Sequence, residues 1–202
     1  MAPRPSALDP GAPPVYEGLP SRLSSPAGVP MLALAAAIER LNDRIGRIVS
    51  WGFLALVVLQ FAVVIQRYVF GLGHVWLQET ITYVYASVFM IAAGYTLLRD
   101  GHVRVDIWYR EASAKSRALV DLLGTLVFLW PVTGLLMWVG WPYVSRSFAI
   151  LEGSRESGGL PLLYLLKGEI MVFCALLALQ GLARVIRSTA TLAGVHAEEA
   201  GR

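Results

Sequence analysis

The sequence predicts an all-α integral membrane protein. It has four transmembrane helices, an N-terminal amphipathic helix and both termini in the cytoplasm. Three observations predict this. Of 202 residues, 56% are hydrophobic and only 15% are charged, against roughly 25% charged in soluble domains. The mean hydropathy is +0.58. The charges are also unevenly placed, so that long stretches contain none. Such a composition argues against an ordinary soluble enzyme, a disordered protein and a nucleic-acid binder.

Residues 1–30 are rich in Pro, Ala, Ser and Gly and hold no apolar run. They read as a disordered cytoplasmic tail and lack the h-region of a signal peptide. Residues 31–47 come next. Leu34, Ile38, Leu41, Ile45 and Ile48 recur at helical spacing, with Glu39, Arg40, Asp43, Arg44 and Arg47 between them. This amphipathic helix either lies flat on the inner leaflet with its arginines near anionic headgroups or extends the first span into the cytoplasm.

A bilayer core about 30 Å thick needs roughly 20 apolar helical residues. Four stretches supply them within a domain over 48–187, at about 48–66, 78–98, 120–145 and 161–185. The fourth contains Lys167 and Glu169, expected near the interface, where Lys167 can snorkel. Trp130-Pro131 falls in the third span, where proline removes a backbone hydrogen bond and is expected to kink the helix. Ala86 and Ala93 on the second offer close approach to another helix. Gly158-Gly159-Leu160-Pro161 marks a turn opening the fourth, with Pro161 in its first turn. Residues 188–202 read as a cytoplasmic tail.

Lys and Arg set the orientation. Arg40, Arg44, Arg47, Arg99, Arg104, Arg110, Lys115, Arg117, Arg184 and Arg187 fall on one side. Arg67, Arg146, Arg155 and Lys167 fall on the other. Both termini are therefore expected inside, with the first and third loops outside.

Chemistry-bearing residues are sparse. The three histidines, His74, His102 and His196, all lie outside the spans, so no axial pair can hold a haem across the bundle. Cys174 is alone, which excludes an internal disulfide and a Cys-based metal site. No phosphate loop, HExxH or GxSxG is present, and no enzymatic activity or cofactor is expected. Glu79 opens two readings: a proton- or cation-binding acid, or a first-turn acid complementing the helix dipole and pairing with Arg67. Trp76 reads as an interface anchor. The inner loop, with Asp100, His102 and Asp106, is either a metal site or a tight turn whose ion pairs pin the second helix to the third. The outer loop Ser147 to Pro161, with Glu152, Arg155 and Glu156, is either a docking patch for a soluble partner or a solvated loop.

The run Arg67-Tyr68-Val69-Phe70-Gly71, then Trp76, Glu79 and Tyr83, then Ala92-Ala93-Gly94, then Gly101-His102-Val103-Arg104-Val105-Asp106, resembles the small permease (DctQ-type) subunit of tripartite ATP-independent periplasmic (TRAP) transporters. The resemblance spans roughly Leu34 to Gly194. Ser157-Gly158-Gly159-Leu160-Pro161, Lys167 and Leu179-Gln180-Gly181 are similar to the branch paired with permeases for 2-oxo acids and related organic acids. Gln78, Thr82 and Ser87 depart from the common pattern, which has an acid, an Arg and a Trp there.

The resemblance implies a bacterial inner-membrane importer of an organic acid, driven by an ion gradient, typically sodium. Its partners would be a large permease (M-type) subunit moving by an elevator-type motion and a periplasmic substrate-binding protein, with lipid around them and no nucleic acid. This chain would then clamp the static scaffold of the large subunit and bind no substrate. Arg67, Trp76, Glu79, Tyr83, His102 and Asp106 become candidates for helix ends and the large-subunit interface. Glu152, Arg155 and Glu156 become candidates for docking the periplasmic protein. The competing reading is a self-contained, proton-coupled small exporter, a homodimer using Glu79.

Overall fold

The computed structural model describes residues 29–101, 109 and 112–194. All regular structure among them is helical. Four helical stretches are long and apolar enough to cross a bilayer: Pro30–Tyr68, Val75–Leu98, Ala114–Ala149 and Leu163–Leu192. Each overlaps one of the stretches named above. Six α-helices and a π turn make them up: α1 (Val29–Tyr68), α2 (Val75–Ile91), α3 (Ala93–Leu98), α4 (Ala114–Gly124), the π turn Thr125–Leu129, α5 (Trp130–Ala149) and α6 (Leu163–Leu192). Of the expected tail over residues 1–30, residues 1–28 lie outside the described residues, and Val29 and Pro30 already belong to α1.

The segment 31–47 is no separate element. It is the first part of the 40-residue α1, so it extends the first span. Its buried side coincides only in part with the apolar face read from the spacing, sharing Ile38. Leu34, Leu41 and Ile48 are exposed, while Leu32, Ala35, Ile38 and Asn42 are buried. Leu32, Ala35 and Ile38 form a cluster with Ala183 and Ile186 of α6. Small residues won this contest because Ala35 and Ala183 let two backbones approach closely. The same contact keeps α6 helical to Leu192, past the expected boundary at 187. We call the end where α1 starts and α6 stops basal, and the opposite end apical.

Close approach sets the basal packing. Asn42 is fully buried and donates from Nδ2 to Gln180 Oε1 at 2.9 Å. It fits there because Gly94 has no side chain. A Cβ at Gly94 would stand 2.3 Å from Asn42 Oδ1. Around this polar pair run ion pairs: Asp43 with Arg99 at 2.6 Å and with Arg47, Asp100 with Arg184, and Glu39 with both nitrogens of a forked Arg187. The inner turn was expected to pin the second span to the third. Arg99 and Asp100 tie it to α1 and α6 as well, through Asp43 and Arg184, with Asp100 following α3 in the left-handed region at φ 53°; the rest of that turn, 102–108, lies outside the described residues.

The third span departs from regular α-helix beside its first proline, with a π turn over Thr125–Leu129. Trp130 donates its N–H to the Thr125 carbonyl, five residues back. Pro131 follows, lacking an N–H, and its ring would strike the carbonyl four residues earlier in a regular helix. The π turn widens the helix just there. A second proline, Pro142, sits inside α5. Periodicity gave no reason to expect a helix unbroken through it.

Candidate functional site

The apical end concentrates the candidate residues. Glu79 lies in the second turn of α2, past the first turn where a dipole-complementing acid belongs. Its contacts are with the far loop. Ser154 Oγ donates to Glu79 Oε1, and the Leu160 backbone N–H donates to Oε2 at 2.6 Å. Among the described residues its partners do not include Arg67. One carboxylate therefore clasps both arms of the loop between α5 and α6.

The loop sequence is built for this clasp. Ser154 N–H donates to the Leu160 carbonyl at 2.9 Å, closing the loop on itself. Gly158 takes φ +77°, which favours glycine. A Cβ at Gly159 would stand 2.7 Å from Glu79 Oε2, so the chain can pass the carboxylate only without a side chain. Pro161 precedes α6, which starts at Leu163, rather than entering its first turn.

A second bond holds the loop from α6. Lys167 Nζ donates to Glu152 Oε2 and lies 4.2 Å from the centre of the Tyr143 ring. The hydrogen bond from Lys167 holds the Glu152 carboxyl below its usual value of 4.5. Such a carboxylate adds stability above its unfolded pKa and loses it as pH falls through the lower folded one. Glu152→Gln is thus expected to lower the thermal midpoint by a constant amount well above the usual carboxyl value of 4.5, and the difference should shrink as pH falls below it. Tryptophan fluorescence melts of both proteins in detergent check this. A difference that grew on acidification would contradict the ion pair.

The three outer-loop candidates therefore part company. Glu152 is half-buried and turned inward to Lys167. Arg155 and Glu156 are exposed, beside the exposed Ile150 and Leu151. Of the other candidates, Arg67 closes the last turn of α1 and is exposed. Trp76 is 46% exposed in the first turn of α2, with the His74 ring 6.1 Å away. Tyr83 is half-buried one turn below Glu79. His102 and Asp106 lie outside the described residues, as does His196. Among the described residues no group of three His, Cys, Asp or Glu side chains is arranged to hold a metal ion.

One acid has a partner that was not expected. Glu169 was expected at the interface, beside Lys167. Ser87 Oγ donates to Glu169 Oε1, and Oε2 is buried without a partner. Ser87 lies eight residues beyond Glu79 on α2, about 12 Å deeper at 1.5 Å per residue. The signal was present in the sequence: Ser87 replaces an expected Trp, and the small hydroxyl leaves room for a carboxylate from α6.

Much of the described interior is paired within the chain, as Asn42 is with Gln180 and Ser87 with Glu169, while Asn42 Oδ1, Ser147 Oγ and Glu169 Oε2 are buried without a partner among the described residues. By contrast, none of the most apolar stretch of α1 is buried. A family model described as "Tripartite ATP-independent periplasmic transporters, DctQ component" matches residues 56–191. No curated protein matches the chain, and no solved structure does.

Proposed function

This chain belongs to the DctQ family, the small membrane subunits of TRAP transporters, and we propose that it is the scaffold partner of a large permease subunit in an ion-driven organic-acid importer. The observation that carries the scaffold role is the contrast just described. Asn42 pairs with Gln180 and Ser87 with Glu169 inside the bundle, while the helices leave broad apolar surface outside. A bundle built this way braces a neighbour and offers no path of its own.

The finer features follow from the resemblance and from charge. Sodium drives the import, and a periplasmic protein delivers the acid. The basal end, with its arginines, faces the cytoplasm of the inner membrane, so both termini lie inside. Arg155 and Glu156, with Ile150 and Leu151, form the docking edge for the periplasmic protein. Glu152 serves this edge by holding its shape.

Reconstitution tests the reading. Vesicles holding this chain, its large partner and the soluble protein are expected to take up the acid when a sodium gradient is imposed, without ATP. Leaving out this chain should abolish uptake. Full uptake by the large subunit alone would overturn the scaffold role. Purification of a homodimer with no large partner would favour the small-exporter reading. Charge reversal at Arg155 and Glu156 together should weaken docking of the soluble protein about tenfold or more, as expected for charged docking contacts, and unchanged binding would remove the loop from the interface.

A further inference from the structure

The outer half of α1 and the adjoining face of α2 carry polar groups that the bundle leaves unpaired at membrane depth. Gln60 lies in the middle of the first span, between Arg47 and Arg67. Counted along the helix it is about 10 Å from Arg67 and about 20 Å from Arg47. Its amide is exposed and has no hydrogen-bond partner among the described residues. With Val57, Phe61, Ile81 and Tyr85 it lines a groove of about 570 Å³ between α1 and α2. Tyr85 is 61% exposed and its hydroxyl also points to no partner.

The same face continues upward. Gln60, Val64 and Arg67 follow one another at helical spacing on α1, as do Gln78, Ile81 and Tyr85 on α2. Arg67 and Gln78 line a second hollow, of about 320 Å³, directly above the groove's apical end. Arg67 is exposed and has no carboxylate partner. One continuous strip thus presents a cation at the interface and an amide and a phenol within the hydrocarbon.

Lipid tails cannot satisfy such groups, and an unpaired amide in hydrocarbon is costly. Many other polar groups of the spans avoid that cost, although Asn42 Oδ1, Ser147 Oγ and Glu169 Oε2 are buried without a partner among the described residues. Thr80, Thr82, Thr125 and Thr133 return their hydroxyls to their own helix carbonyls, and Gln180 pairs with Asn42. The outward side of α5 makes the opposite choice: Phe128, Leu135, Trp138 and Val139 are exposed there, a surface suited to lipid.

We infer that the α1/α2 groove is the seat of a transmembrane helix of the large subunit, one that offers Gln60 a hydrogen-bonding side chain at mid-depth and Arg67 a carboxylate at the apical edge. The α5 face is the lipid side. This rests on the scaffold reading above, and adds to it which side of the bundle is the clamp.

Photo-cross-linking in the assembled complex tests the inference. A photoreactive residue is placed at Val57, in the groove, and in a separate variant at Trp138, on α5. The Val57 probe is expected to join this chain to the large subunit, and the Trp138 probe is not. Gln60→Leu should lower retention of the large subunit about threefold, the effect of one hydrogen bond between membrane helices. Arg67→Glu should lower it further. Adducts from Trp138 instead of Val57, adducts from Val57 to lipid alone, or adducts from Val57 to a second copy of this chain each overturn the inference. Co-purification of the large subunit with the unaltered chain separates the two levels. If it co-purifies and the adducts lie elsewhere, only the groove assignment fails. If it never co-purifies, the scaffold reading fails with it.

Discussion

Gly94→Leu is expected to break the basal half of the bundle. The new side chain must occupy the position of Asn42 Oδ1, which would stand 2.3 Å from the first added carbon. Asn42 cannot retreat, because it is fully buried and donates to Gln180. Overpacking a filled core costs about 1–3 kcal/mol, and here it also separates a buried amide pair. The helices stay in the membrane, because their hydropathy is untouched. What is lost is their packing, read as a lower thermal midpoint and faster hydrogen exchange at Ala93 to Leu98. The smaller pair Gly94→Ala and Asn42→Ala isolates the contact. If the approach is as close as it stands, the double variant loses less than the two single losses added, by about 0.5–3 kcal/mol. Strict additivity would show that Gly94 does not admit Asn42.

Glu79→Ala is expected to release the apical loop. Two donors, Ser154 Oγ and the Leu160 N–H, lose one acceptor group together. Each part-buried donor left unmet costs about 1–3 kcal/mol. Glu79→Gln keeps one acceptor oxygen and should lose less. Hydrogen exchange at residues 153–160 reads the effect directly and should accelerate in the order wild type, Gln, Ala. Yield of the complex should fall in the same order, with ion coupling per transported molecule unchanged. Normal loop protection with lost coupling would instead make Glu79 an ion-binding group and revive the exporter reading.

The two residues differ in how far the sequence reveals them. Glu79 stands out as an acid at the edge of an apolar run, yet its partner lies 75 to 81 residues away. Helical spacing reports neighbours within a few turns and is silent across a bundle. The expected partner Arg67 was nearby in sequence, and that proximity misled. Gly94 looked like one small residue among several, since a glycine's importance depends on what approaches it. The same reasoning explains α1. Of its apolar positions Leu34, Ile38, Leu41, Ile45 and Ile48, only Ile38 is buried against the bundle, since in a membrane setting large apolar residues face lipid at no cost. Helix contacts go to the small ones.

What the sequence determined by itself is the number of spans, their approximate limits and the family. Each is a property of local composition or of short motifs. A run of some 20 uncharged apolar residues needs a bilayer whatever lies beside it. Arg67 to Gly71, Ala92 to Gly94 and Gly101 to Asp106 carry the likeness without reference to the fold. Only the tertiary structure decided which carboxylate meets which donor, that α1 runs unbroken from Val29 to Tyr68, that Glu169 reaches Ser87 inside the bundle, and that Gln60 is left without a partner. These depend on the rotation of each helix about its axis. Close packing of Ala35 on Ala183 and of Asn42 beneath Gly94 sets that rotation, and hydropathy along one chain carries no record of it.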